Sequence, residues 1–427
     1  MLSALAAIFV ISYAAIALEH PIGINKSASA LLGAGLLWTV YAVMSGDHGV
    51  VAHKLDESVA STAQIIFFLL GAMTIVEVID AHDGFEVITS QIRTKKLTTL
   101  MWLISLVTFF LSAVLDNLTT AIVMVSLVKK LLDEHDDRLL FASMIVIAAN
   151  AGGAFSPIGD VTTTMLWIGG QVTPLAIVKG VFLAAAVNLV APLLLVSYQL
   201  RGRTFTLGRN GRDDGRSVTS VFERNLMFGM GLGVLILVPA FKAVTHLPPF
   251  MGILFGLGIL WLAGELVHRD KQPETKGRLT VAHALTRIDV TSLVFFLGIL
   301  LAVAALEHTG ILSGLAGWLD RVVGRQDVIV IILGLISAVV DNVPLVAASM
   351  GMYSLSQYPA DSFLWEFIAY CAGTGGSILI IGSAAGVAAM GLEKIQFIWY
   401  MRKIGGLALL GYLAGAAVYI MQYRLLH

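Results

Sequence analysis

Two aspartate-asparagine pairs stand in the middle of apolar sequence, where neither residue belongs without a task. The first lies in Ser112-Ala113-Val114-Leu115-Asp116-Asn117-Leu118-Thr119-Thr120. The second lies in Ser337-Ala338-Val339-Val340-Asp341-Asn342-Val343-Pro344-Leu345, 225 residues further on. Five of their first six residues are identical, so the chain carries a duplication. A second polar centre runs from Asn150-Ala151-Gly152-Gly153 through Ser156-Pro157-Ile158-Gly159-Asp160 to Thr162, Thr163 and Thr164. Its counterpart runs from Thr374-Gly375-Gly376-Ser377 to Gly382-Ser383, with the same glycine pair and the glycine six positions on. Asp116, Asn117, Asn150, Ser156, Asp160, Thr162, Thr163, Asp341, Asn342, Thr374 and Ser377 offer carboxylate, amide and hydroxyl oxygens, the donor set of a hard cation. Carboxyl groups withdrawn from water are harder to ionise, so an aspartate there can trade a proton for a metal ion. That is the minimal chemistry of exchanging a cation for a proton. An anionic cargo would ask for a buried cation, and no Lys or Arg lies in the central part of any apolar run.

The sequence around these residues is that of an all-α integral membrane protein: 57% hydrophobic, 13% charged, with a mean hydropathy of +0.87. A net charge of -1 argues against a nucleic-acid partner. The single cysteine, Cys371, excludes an internal disulfide or a cysteine-built metal site and reads as a small apolar filler. No cofactor is expected. Apolar runs long enough to cross a bilayer fall at roughly 2–18, 27–45, 63–80, 139–169, 175–199, 222–244, 249–267, 290–306, 364–390 and 403–423, about ten spans. The first lacks a basic flank and a cleavage site and is read as a retained span.

Residues 98–131 and 327–355 carry the aspartate-asparagine pairs near their centres. As one straight helix the first would be about 51 Å long with a charge at mid-length, so each is expected to be a re-entrant hairpin of two half-helices. The positive-inside rule agrees. With both hairpins re-entrant, 21 of the 27 Lys and Arg fall on one face, among them Arg93, Lys95, Lys96, Lys129, Lys130, those of 201–224 and of 269–287, Arg402 and Lys403. Lys54, Lys179, Lys242, Arg321, Arg325 and Arg424 fall on the other. Both termini are then outside, hairpin one opens to the cytoplasm and hairpin two to the exterior. The localisation that follows is the cell, or inner, membrane.

The polar, basic loop 200–221 divides the halves. The expected organisation is an N-terminal span and loop (1–26), repeat one (27–199), a linker with a connecting span (200–248) and repeat two (249–427). Corresponding spans are an odd number of crossings apart, so the repeats are inverted in topology, each with one hairpin and one discontinuous helix. Residues 67–71 and 294–298, and His82-Asp83-Gly84 and His308-Thr309-Gly310, keep the same register. Backbone groups freed by the breaks at membrane depth must be buried in protein or line a wet cavity.

Plainer roles compete. Asp116 and Asp341 could cap the second half-helix of each hairpin, and Asp160 the helix resuming at Val161. Asn150, Thr162, Thr163 and Ser377 could bond to broken backbone. Glu77, Asp80 and His82 sit near the end of a span, where interfacial charges are ordinary and a pH-sensing role is the sharper alternative. Residues 311–323 read as an amphipathic surface helix.

In the stretch Gly71-Ala72-Met73-Thr74-Ile75-Val76-Glu77-Val78-Ile79-Asp80-Ala81-His82, the tip 115–120, the break 150–164 and the tip 337–344, the chain resembles the NhaD-type sodium/proton antiporters of the ion transporter superfamily, nearly end to end. The resemblance implies exchange of Na+ or Li+ for protons by a homodimer of scaffold and mobile transport domains moving like an elevator. It assigns transport roles to Asp116, Asn150, Asp160, Thr162, Thr163, Ser337 and Asn342, with Na+ expected at Asp116, Asn117, Asn150, Asp160 and Thr163. Leu115 departs from a pattern that admits a second acidic residue beside the tip aspartate, which bears on proton stoichiometry. The tips also differ from the Ser-Asn-Thr tips of the superfamily's dicarboxylate carriers, which favours a cation. Two rivals are a symporter of a dicarboxylate or other anion in the same architecture and an intramembrane aspartyl protease. The protease needs two carboxylates sharing a proton but not a duplicated transport-like fold.

Overall fold

A computed structural model describes residues 2–89, 94–205, 219–339 and 341–426. Arg93, Val340 and the linker residues 206–218, used in the charge count, the tip motif and the domain division, lie outside them. Among the described residues the chain is helical, with one isolated bridge between Lys96 and Thr204. The principal helices are α1 (Leu2–Ala17), α2 (Lys26–Ser45), α3 (His48–Ala81), α4 (Leu97–Ser112), α5 (Asn117–Leu131), α6 (His135–Ala154), α7 (Val161–Ile168), α8 (Pro174–Gln199) and α9 (Val221–Thr245). They continue as α10 (Pro249–Val267), α11 (Val290–His308), α12 (Ile311–Val322), α13 (Gln326–Ile336), α14 (Asn342–Met352), α15 (Phe363–Gly375), α16 (Ala384–Glu393) and α17 (Gly406–Leu426).

Seven helical stretches among the described residues are long and apolar enough to cross a membrane. The other three expected spans are absent from that set for physical reasons: α1 has 16 residues, and α6/α7 and α15/α16 are each interrupted. The run expected at 63–80 is the second half of a 34-residue helix, α3, whose more polar first half begins at His48. The amphipathic segment is α12, with Leu312 and Ala316 buried.

Helix restarts follow from capping. Asp116 takes the Thr119 N–H at 2.7 Å and opens α5, Asp160 takes the Thr162 N–H at 3.0 Å and opens α7, and Asp341 takes the Val343 N–H at 3.2 Å and opens α14. Ser383 does the same for α16 through the Gly386 N–H at 3.2 Å. The two glycine pairs sit differently at their breaks: α15 ends within its pair, at Gly375, whereas the first pair stays helical. Gly152 and Gly153 lie within α6, and the break falls after Ala154, across Pro157, which lacks an N–H and crowds the preceding turn. The glycines also supply close approach. A Cβ on Gly152 would collide with the Phe109 carbonyl of α4, and one on Gly375 with the Gly334 carbonyl of α13.

The helices gather into two bodies. In one, α2 packs along α11 and α1, while α3 packs on α10, α11 and α9. In the other, α4 and α5 pack on α6, α13 and α14 on α15, α16 on α5, and α8 on α17. The bodies meet where α11 and α12 touch α14 and where α3 touches α7.

Candidate functional site

The centre of the second body is a network of amides around one acid. Asp160, 1% exposed, accepts through Oδ2 from Asn117 Nδ2 at 2.9 Å and from Asn342 Nδ2 at 3.2 Å. Asn117 also donates to Asn150 Oδ1 at 3.0 Å. Asn150 in turn donates to the hydroxyls of Ser377 at 2.9 Å and Ser383 at 2.8 Å. The starts of α5 and α14 and both interrupted helices therefore converge on Asp160 and Asn150. Asn117 and Asn342 are the first residues of α5 and α14, Asp160 and Ser383 cap α7 and α16, and Asn150 reaches in from within α6.

The remaining candidates sort into frame and cavity. Ser112 donates to the Ala149 carbonyl at 2.6 Å and Ser337 to the Ala372 carbonyl at 2.9 Å, tying the ends of α4 and α13 to the neighbouring interrupted helices. Ser156 donates to the Ala113 carbonyl. Thr163 donates to the carbonyl of Asp160 at 2.9 Å, and Thr374 to that of Tyr370 at 2.6 Å. Among the described residues the Thr162 and Thr120 hydroxyls, both fully buried, meet no partner within hydrogen-bond distance.

Asp116 stands apart from the amide network. Thr119 serves both of its oxygens, N–H to Oδ1 and hydroxyl to Oδ2 at 2.6 Å. Asp116 and Asn117 face a cavity of ≈ 40 Å³ walled by Phe68, Met73, Leu115 and Phe296. That is room for about three waters. The cavity lies between the two bodies, since Phe68 and Met73 belong to α3 and Phe296 to α11.

Asp341 is elsewhere again: its Oδ2 meets Lys26 Nζ at 3.0 Å. Sequence reading left Lys26 out because it opens a helix rather than lying within one. Ser383, outside the expected set, occupies the place in the second interrupted helix that Asp160 holds in the first, and its capping of α16 at the equivalent break is the signal that identifies it. Glu77, Asp80 and His82 form no part of the centre. Glu77 pairs with Arg287 at 2.8 Å, Asp80 lies 4.0 Å from the same guanidinium, and the His82 ring stacks on His268 at 4.9 Å.

A buried carboxylate ringed by neutral donors, held at the meeting of two interrupted helices in a multi-pass helical protein, defines a membrane transporter. Residues 13–373 match the family described as CitMHS, citrate transporter. Sodium/proton antiporter 1 of Arabidopsis thaliana is 49% identical over 427 residues, 99% of this chain and 73% of the relative. Sodium/proton antiporter 2 of the same plant is 46% identical over 98% of this chain and 99% of its own. Na(+)/H(+) antiporter NhaD of Alkalimonas amylolytica is 32% identical over 97% and 89%. The chain belongs to this family, and is thereby a transporter rather than an enzyme.

Proposed function

We propose that the chain exchanges Na+ or Li+ for protons, with Asp160 and Asp116 binding cation and proton in competition. The observation that carries this is the state of Asp160. Among the described residues no ion pair joins Asp160 or Asp116 to a lysine or arginine. A carboxylate buried without a countercharge is too costly to leave alone, so a proton or a cation must complete it. The amides suit both forms, because turning an asparagine side chain over exchanges an N–H donor for an oxygen at the same place. Asn117 and Asn342 then serve as donors to the bare carboxylate, and with Asn150, which holds Asn117 in place, as oxygen ligands to Na+, with Thr163 and Thr162 beside them. Among the described residues the cavity beside Asp116 and Asn117 is lined by no Lys or Arg that could receive a citrate-like anion, which favours the cation over the cargo in the family's description.

The topology that goes with this reading is ten crossings, two re-entrant hairpins and two inverted repeats. It is supported by which loops touch. Phe205 N–H donates to the Lys95 carbonyl at 3.1 Å, Arg203 pairs with Asp137 at 2.9 Å, and Arg224 with Glu86 at 2.7 Å. The segments before α4, after α5 and after α8 therefore share one side, as they must if α4 and α5 enter and return. On the opposite side Asp361 receives the Thr173 N–H at 2.6 Å, and Lys54 reaches the His308 carbonyl at 3.5 Å. By charge the first side is cytoplasmic and both termini lie outside the cell membrane. With the cavity between two bodies, transport follows an elevator-like displacement of the broken-helix body against the other, in a homodimer.

The test is proton movement in proteoliposomes carrying a pH-sensitive dye, with Na+, Li+ and K+ added separately. Na+ or Li+ should collapse an imposed pH gradient, and apparent Na+ affinity should tighten as pH rises and then flatten once the competing carboxylates are ionised. Collapse by citrate or succinate alone would overturn the reading.

A further inference from the structure

The two hairpin tips differ by one hydroxyl, and the deficit is met from the other body. In the first tip Thr119 supplies two donors to Asp116, one to each carboxylate oxygen. Pro344 occupies the matching place in the second tip, so the donor to Asp341 within the tip is the Val343 N–H at 3.2 Å. The other oxygen takes Lys26 Nζ at 3.0 Å. Lys26 is the first residue of α2, which runs along α11, and Ser27 fastens that end by donating to the Thr291 carbonyl at 2.8 Å. The ammonium also lies over the Phe295 ring, 4.5 Å from its centroid. With side-chain exposures of 23% and 12%, the pair is sheltered enough for the attraction to outlast the screening that weakens surface pairs.

We infer that Lys26 is a positioning residue that latches the second hairpin tip to α2 and α11, and that this ion pair must separate whenever the broken-helix body changes position. The inference rests on the two-body exchange reading above. Separation leaves neither charge stranded at the start of the movement: Glu19 and Asp289 are near enough to keep stabilising the ammonium, and Asp341 still caps α14. Because Lys26 compensates Asp341, the second tip carries no net charge toward the cargo, and cation and proton are left to Asp116 and Asp160.

Cysteines replacing Lys26 and Asp341 can be joined by a cleavable thiol crosslinker, with native Cys371 kept because it is buried. Joining them should abolish Na+-driven proton movement, because a covalent link blocks the required separation outright, and cleavage should restore the rate. Exchange by the joined protein at the rate of the unjoined one would overturn the latch. Melting temperatures of Lys26→Met, Asp341→Asn and the double variant decide the pairing without needing transport. A latch requires the double variant to be no less stable than the worse single one, with Lys26→Arg close to wild type, whereas additive losses would overturn it. Absence of Na+-driven proton movement in the wild type would strike the exchange reading, and the melting cycle would still decide the pair.

Discussion

Asp160 Oδ2 is shared by the first residues of α5 and α14, accepting from Asn117 at 2.9 Å and from Asn342 at 3.2 Å. The duplication therefore does not build two equal sites. Where the second half would need its own acid it has Ser383, which caps α16 and receives Asn150. One carboxylate thus collects donors from both halves, so a displacement of either tip changes the surroundings of the same oxygen.

Asp160→Asn should abolish cation-driven proton movement while the protein remains folded, since size and capping are kept. Asn117→Ala and Asn342→Ala each remove a hydrogen bond to a charged group, worth about 1.5–3 kcal/mol. Apparent Na+ affinity should weaken by roughly 10- to 100-fold in each, measured by dye dequenching across a Na+ titration. Wild-type affinity in both would leave the amides with a purely architectural role.

Asp116→Asn separates charge from capping, because asparagine opens a helix as well as aspartate. Exchange should be lost with little change in melting temperature. Asp116→Ala should lose exchange and about 1 kcal/mol of stability besides. Normal exchange by Asp116→Asn would reduce Asp116 to a helix cap.

The His82 and His268 rings meet at the ends of α3 and α10. The rings stack at 4.9 Å, and His82 Nδ1 lies 2.6 Å from the Val78 carbonyl, so that nitrogen carries the hydrogen and Nε2 is left bare and buried. Burial lowers the pKa of both imidazoles below the ordinary histidine value, against a smaller opposing pull from Glu223 on each, while Lys271 adds to the lowering. The unfolded chain then binds more protons than the folded one on the acid side of about pH 6.5. Stability should be at its full value above that pH and fall as pH drops through it, levelling off below the folded-state pKa. Thermal unfolding of purified protein across this range should show the slope, and His82→Gln with His268→Phe should flatten it. An unchanged slope in the double variant would place the titration elsewhere.

Gly152→Ala and Gly375→Ala test the two close approaches. Each added methyl meets a backbone carbonyl, of Phe109 or Gly334, which cannot swing aside as a side chain could. Losses of about 1–3 kcal/mol or more are expected, together with lower yield of folded protein. Gly233→Ala is the control, since its position has open space where the methyl would go.

The sequence by itself determined a good deal here. Apolar runs fixed where most helices lie, because a chain in hydrocarbon must satisfy its own backbone bonds. The repeated aspartate-asparagine pairs and the polar stretches 150–164 and 374–383 marked the regions of the breaks, because polar and helix-breaking residues at membrane depth are too costly to persist idly. What only the tertiary structure decided is which partner each of these residues found. Local spacing could not say that Asn117 and Asn342 would choose the same carboxylate. It could not say that Gly152 would serve an approach rather than a break, or that Asp341 would be met by a lysine 315 residues away. Those pairings depend on how separate helices pack, and packing is set by the whole surface of each helix, not by the few residues that carry the chemistry.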